Sequence, residues 1–212
     1  MKILLPLAAA IALFSLQSAH ALTFYTSKAA LDAAATTALV EDFESTGQVS
    51  GDVLSSFNHN GLTFTGLAGV PFPNVVVNPP GEMSYGAGVV VPLMTSVLTA
   101  NGAEDIFVDF STPYRAVGLD IYLNGLGPLD VRVYDGASLL GTYTFPGTQD
   151  DKAYLGFTND TPVTGFEFVS SGGASINTAM DNISAAESIP EPGTLGVLAL
   201  ACLSLGLRRR RA

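Results

Sequence analysis

Short stretches of period-two alternation, cut at close intervals by Gly, Pro, Asn and Asp, run through most of this chain and leave it few folds to choose from. Successive side chains of a strand point to opposite faces, so Ile106-Phe107-Val108-Asp109-Phe110 presents one apolar stripe. Val117, Leu119 and Ile121 do the same within Ala116 to Tyr122, after a turn at Ser111-Thr112-Pro113. Val131 to Tyr134 and Leu139 to Phe145 flank Asp135-Gly136, a hairpin signal. Ala153 to Phe157, Val163 to Val169 and Ala179 to Ile183 complete the second half. Earlier, Val40 to Glu44 opens the strand region, Gly61 to Thr65 follows the turn signal Asn58-His59-Asn60-Gly61, and Val75 to Val77 is a brief strand inside a Gly/Pro-rich loop, Gly66 to Gly88. About nine or ten strands with one apolar face each are buried most simply by packing two sheets together. The expected class is all-β: a two-sheet antiparallel β-sandwich of the jelly-roll type, with one short N-terminal helix from Lys28 to Ala35 capped by Ser27.

Both ends lie outside that pattern. Lys2, an apolar run from Ile3 to Leu16 and Ala19-His20-Ala21 form a signal peptide, residues 1–21, with cleavage after Ala21. At the other end Pro190-Glu191-Pro192 imposes an extended, exposed boundary, because proline fixes φ and lacks a backbone donor. An apolar helix follows over 194–207, then Arg208, Arg209, Arg210 and Arg211. The run is short of the roughly 20 residues that span a hydrocarbon core, and the arginines hold its end in the cytoplasm, leaving everything N-terminal on the far side.

Between these segments lies one domain, residues 22–188. It holds Lys28, Arg115, Arg132 and Lys152 against 18 of the chain's 19 acidic residues, a net charge of −14. Nucleic acid is excluded as a partner by repulsion from the phosphate backbone. The lone cysteine, Cys202, sits in the C-terminal helix, so neither disulfides nor thiolate chemistry serve the domain. His59 is its one histidine and has no serine elbow or metal-spaced partner, so the expectation is a protein that is not an enzyme.

Pro-Glu-Pro, a short apolar helix and a terminal arginine cluster on a chain with a signal peptide resemble the PEP-CTERM sorting tail of Gram-negative bacteria. The resemblance covers residues 189–212. It implies export through the inner membrane, transient residence there through the C-terminal helix, recognition and processing by an exosortase, and delivery to the cell surface or extracellular matrix.

A second resemblance concerns the domain. Early Asp42-Phe43-Glu44 and late Asp181-Asn182-Ile183 are similar to the first and last strands of MAM-like and carbohydrate-binding jelly rolls. Alternation alone would put Asp42 and Glu44 on one face of a strand at Glu41 to Glu44, with Phe43 turned to the core. The resemblance implies that the two strands are neighbours and that Asp42, Glu44 and Asp181 hold Ca²⁺, a cation that accepts six to eight oxygens in irregular geometry. Sugar binding uses flat aromatic faces, and with no Trp in the chain the candidates are Tyr85, Tyr122 and Tyr134.

These readings converge on an exported surface or matrix protein with a structural or adhesive role, whose partners are extracellular polysaccharide or other surface proteins. The alternatives are a calcium-assisted, lectin-like carbohydrate-binding module and a polysaccharide-active enzyme working through two opposed carboxyls.

Overall fold

The structure, a computed structural model, describes residues 22–47, 53–67, 75–78, 81–84, 90–93, 95–100, 105–123, 125–148, 151–170 and 178–189. The signal peptide with Ala19 and Ala21, Tyr85, and the tail from Pro190 through Arg208, Arg209, Arg210 and Arg211 lie outside them.

Among the described residues are fourteen strands and one helix: β1 (Thr23–Tyr25), α1 (Lys28–Ala34), β2 (Ala38–Glu41), β3 (Val53–Leu54), β4 (Ser56–His59), β5 (Leu62–Gly66), β6 (Val75–Asn78), β7 (Gly81–Ser84), β8 (Val90–Leu93), β9 (Val97–Ala100), β10 (Ile106–Tyr122), β11 (Leu129–Asp135), β12 (Ser138–Phe145), β13 (Lys152–Ser170) and β14 (Ala179–Ala186). Every pairing is antiparallel. The expected all-β antiparallel class with one short helix is what the chain adopts.

The two layers are joined where the sequence predicts breaks. β10 and β13 are each long enough to belong to both layers. The first half of β10 pairs β5 on one side and the second half of β13 on the other; its second half pairs β14 and the first half of β13. One layer therefore runs β4, β5, β10, β13, β11, β12, and the other runs β1, β13, β10, β14, with β2 and β9 beside β14. The predicted turn at Ser111-Thr112-Pro113 is instead the corner of a continuous strand. Register shifts between Asp109 and Tyr114 and between Tyr114 and Ala116 bend it, and Pro113 withholds a donor at an exposed position where a missing ladder bond does least harm. Val75–Val77 does form a strand, while β3, β4, β7, β8 and β9 have no counterpart in the sequence reading.

Each layer turns its apolar stripe inward. Val108, Phe110, Val131, Val133, Phe166 and Phe168 of one layer share a single core cluster with Val117, Leu119, Ile121, Phe157 and Ile183 of the other. Ring pairs such as Phe157 with Phe166, centroids 6.2 Å apart, stitch this interior.

The second layer is covered outside as well. Ser27, in extended backbone, caps α1 by accepting from Ala30 N at 3.3 Å, and the helix buries Leu31 completely. Leu31 sits where Gly118 of β10 faces Gly156 of β13 across the ladder. A Cβ at Gly118 would stand 2.7 Å from Leu31 Cδ2 and would collide with the Tyr154 hydroxyl, while one at Gly156 would stand 3.0 Å from the same leucine carbon. The two glycines are thus the socket that seats the helix.

Candidate functional site

The sheet pairing brings the early and late acidic segments together: β2 lies beside β14, with Glu41 opposite Ile183. β2 stops at Glu41, and residues 42–45 form a turn in which Phe43 takes φ of 57°. Phe43 is buried as expected, but Asp42 and Glu44 do not share a strand face. The reason is local: Glu41 Oε1 accepts from Phe43 N at 2.6 Å and Asp42 Oδ1 from Glu44 N at 3.2 Å, so side chains close the turn that alternation alone would leave extended.

Glu44 and Asp181 reach adjacent residues. Glu44 accepts from Ser96 N at 2.6 Å and from Ser96 Oγ at 3.2 Å; Asp181, fully buried, accepts from Thr95 Oγ1 at 2.5 Å and from Asn182 N at 2.6 Å. As arranged, each of these carboxylates accepts from protein donors. Among the described residues no group of three or more His, Cys, Asp or Glu is placed to hold a metal ion. Thr95 and Ser96, absent from the sequence reading, serve as the clamp.

Burial pushes the Asp181 carboxyl above its ordinary 3.8, with the Asp120 charge adding, against the lowering effects of Thr95, the Asn182 backbone and Lys152. A carboxyl raised in the folded state contributes fully below its unfolded value, and that contribution is lost as pH rises through the folded value. The stability of the native protein relative to Asp181→Asn should therefore fall as the pH is raised from about 4 toward neutrality. Denaturant titrations of both proteins across that window would show it, and a difference that grows with pH would refute the assignment.

The buried carboxylate that sequence reading passed over is Glu41. Its side chain is 0% exposed, and Oε2 faces His59 Nδ1 at 2.5 Å and accepts from Asn60 Nδ2 at 3.2 Å. His59 ends β4 and stacks on Phe57, with Asn60 and Gly61 at φ of 47° and 78° making the tight hairpin turn into β5. The histidine is a tie between the layers.

A depression of about 220 Å³ opens on the outer face of the second layer, lined by Lys28, Thr37, Leu39, Asp120, Tyr154, Asn182 and Ser184. Alternation puts Asp120 and Tyr154 there, opposite the buried Leu119, Ile121 and Leu155. Asn182 arrives by a bulge: the β10–β14 register slips between Gly118 and Asp120, and Asn182 takes φ of 51°. Its amide donates to Asp120 Oδ2 at 2.9 Å, the oxygen that also receives Lys152 Nζ at 2.8 Å. Thr37 Oγ1 and Tyr154 Oη are both buried at this depression, Thr37 Oγ1 with no hydrogen-bond partner and Tyr154 Oη beside the Ser184 hydroxyl. The Tyr154 hydroxyl is pushed up to about 12, by burial first and then by the charges of Asp32 and Asp120, against the lowering effect of a side-chain hydrogen bond with Ser184. Ser184 Oγ donates to the Gly118 carbonyl at 3.3 Å.

The tyrosines divide. Tyr122 is on the outer face but only 9% exposed, with Lys152 Nζ 5.6 Å above its ring, so it is not an open platform. Tyr134, half-buried on the other layer, packs against Phe107 and donates to Glu167 Oε2 at 2.7 Å. Burial and Glu167 push its hydroxyl up, with Arg132 opposing.

Fold and tail together define the class: an all-β antiparallel sandwich with a sorting tail. Residues 188–211 match the family model described as the PEP-CTERM protein-sorting motif. The chain carries that motif and is an exported protein sorted by an exosortase. No curated protein matches the chain. Among solved structures it is similar to a variant of CBM29-2, a family 29 carbohydrate-binding module complexed with mannohexaose, at 12% identity and a TM-score of 0.39, over 71% of this chain and 91% of that one. A second family 29 carbohydrate-binding module matches at 11% identity and a TM-score of 0.38, over 71% and 87% of the two chains. Matches of this size establish neither a shared site nor a shared ligand.

Proposed function

We propose that the protein is a non-enzymatic component of the cell surface or exopolysaccharide matrix, with a structural or adhesive role. The observation that supports this is the placement of the sorting motif. Among the described residues the last strand, β14, ends at Ala186, and the motif begins at residue 188. Processing within the motif therefore releases or re-anchors the sandwich without taking a strand from it. The expected result of changing Pro190, Glu191 and Pro192 together to Ala is retention of the protein with the inner membrane and its loss from the surface and matrix fractions. Unchanged delivery to those fractions would count against the role of the tail in placing the protein where it acts.

Calcium-assisted carbohydrate binding is the second reading, favoured by the meeting of Glu44 and Asp181 at Ser96 and Thr95, with Asp42 in the same turn. A Ca²⁺ ion would have to displace the donors those carboxylates now hold. Co-sedimentation with the producing cell's exopolysaccharide in calcium and in EDTA decides it: equal binding in both removes calcium from the account.

A further inference from the structure

The chain enters and leaves the folded domain at one end. Thr23, at the start of β1, pairs with Thr158 of β13; Thr158 pairs with Ala116 of β10, and Ala116 with Ala186 at the end of β14. The four residues form one row across the second layer, so β1 begins and β14 finishes three strand spacings apart, about 14 Å. The two segments that the sequence marks for the membrane, residues 1–21 and 194–207, are therefore joined to the domain at the same end.

The C-terminal connection is also short. Past β14 the chain stays on the domain: Ile189, half-buried, packs against the cluster of Leu31, Ala35 and Ala116 between α1 and the sheet. Only residues 190–193 separate it from the apolar run. Fully extended, the five residue steps from 189 to 194 reach at most about 18 Å. A headgroup layer about 6 Å deep takes up part of that, which leaves the folded surface around Ile189 within about 12 Å of the lipid. The run itself tightens the spacing. As a helix, residues 194–207 are about 21 Å long against a hydrocarbon core of about 30 Å, so insertion draws the flanking residues toward the bilayer.

We infer that, until the tail is processed, Ile189 and the short spacer over 190–193 hold the row Thr23, Thr158, Ala116 and Ala186 against the outer face of the inner membrane, as the membrane-facing end of the domain. The spacer imposes this contact. The domain is strongly acidic and has no attraction of its own for an anionic bilayer, so cutting the tail frees the surface along with the anchor. The opposite end, the row of Tyr122, Lys152 and Ala179, lies six residues further along β10, about 20 Å away, and points from the membrane. The inference rests on the sorting motif and is independent of the structural or adhesive role.

The test uses protein purified with its tail intact and reconstituted into vesicles of phosphatidylcholine and phosphatidylglycerol. In a Cys202→Ser background, Thr36→Cys carries a fluorophore beside Ala35, at the membrane-facing end, and Asp151→Cys carries one at the opposite end; both positions are exposed. Nitroxide-labelled headgroups should quench the label at residue 36 several-fold more than the label at residue 151. A flexible Gly/Ser linker of about 12 residues placed between Ile189 and Pro190 adds roughly 20 Å of reach, interrupts no described strand, and should reduce both labels to the same weak quenching. Equal quenching with the native spacer, stronger quenching at residue 151, or a difference that outlasts the linker overturns the inference. So does failure of the tail-bearing protein to float with the vesicles. None of those results touches the surface role, which fails separately if the protein is absent from the outer fractions.

Discussion

Phe166→Ala should cost the domain about 3–5 kcal/mol, the range for removing a fully buried ring from a core that cannot close over the gap. Phe166 is completely buried on the second half of β13, with ring centroids of Phe110, Phe157 and Phe168 at 5.9, 6.2 and 5.8 Å. Phe157 belongs to the first half of the same strand, so the ring lies where the two layers fold over one another. Domains of this size hold only about 5–15 kcal/mol in total, and this one has no disulfide to fall back on. Urea unfolding of the variant should show a large fall in midpoint at unchanged slope. A loss below about 1 kcal/mol would mean that the interior repacks freely and that the aromatic stitching is dispensable.

The second large effect is expected at Glu41. Glu41→Ala should destabilise by about 2–4 kcal/mol, because it strips the partner from the Phe43 amide, the His59 ring and the Asn60 amide at one stroke. The Phe43 bond matters most, since that residue holds left-handed backbone, rare for a non-glycine, and the carboxylate is what closes the turn around it. Glu41→Gln, which keeps one acceptor oxygen, should lose less. A double-mutant cycle with His59→Ala isolates the tie between the layers, and a coupling under about 0.5 kcal/mol would show that the hairpin docks without it.

Much of the candidate site was legible in the chain, though not as a site. Alternation places Asp120 and Tyr154 on the face away from the core, and Asp181-Asn182 carries a residue type tolerant of the left-handed conformation that the bulge uses. Nothing in that pattern says that α1 roofs the same face, or that Thr37, in the connection after the helix, joins them. The pairing of the early and late acidic segments was anticipated and is found in β2 and β14. The sharing of a strand face by Asp42 and Glu44 was not, because a carboxylate two residues from a backbone amide competes with the ladder for that amide, and at Glu41 and Asp42 the side chains win. His59 reads as a turn residue in sequence, and its partner becomes visible only when β2 and the β4–β5 hairpin are brought together.

What the sequence by itself determined is the part carried by local or ordered signals. The sorting tail depends on residue order and terminal position. The all-β class depends on a period of two, the hairpins at Asn60-Gly61 and Asp135-Gly136 on turn chemistry, and the short helix on the Ser27 cap and its alanines. Tertiary structure decided everything that depends on contacts between residues far apart in the chain. It made Ser111–Pro113 a corner of one strand, set Gly118 against Gly156 as the seat of Leu31, and gave Glu44 and Asp181 to Ser96 and Thr95. It also buried the hydroxyls of Thr37 and Tyr154 beside the helix. The physical reason is that a strand's own residues specify which face is apolar, while what covers that face, and which polar groups it leaves unsatisfied, is specified by the partner that packs there.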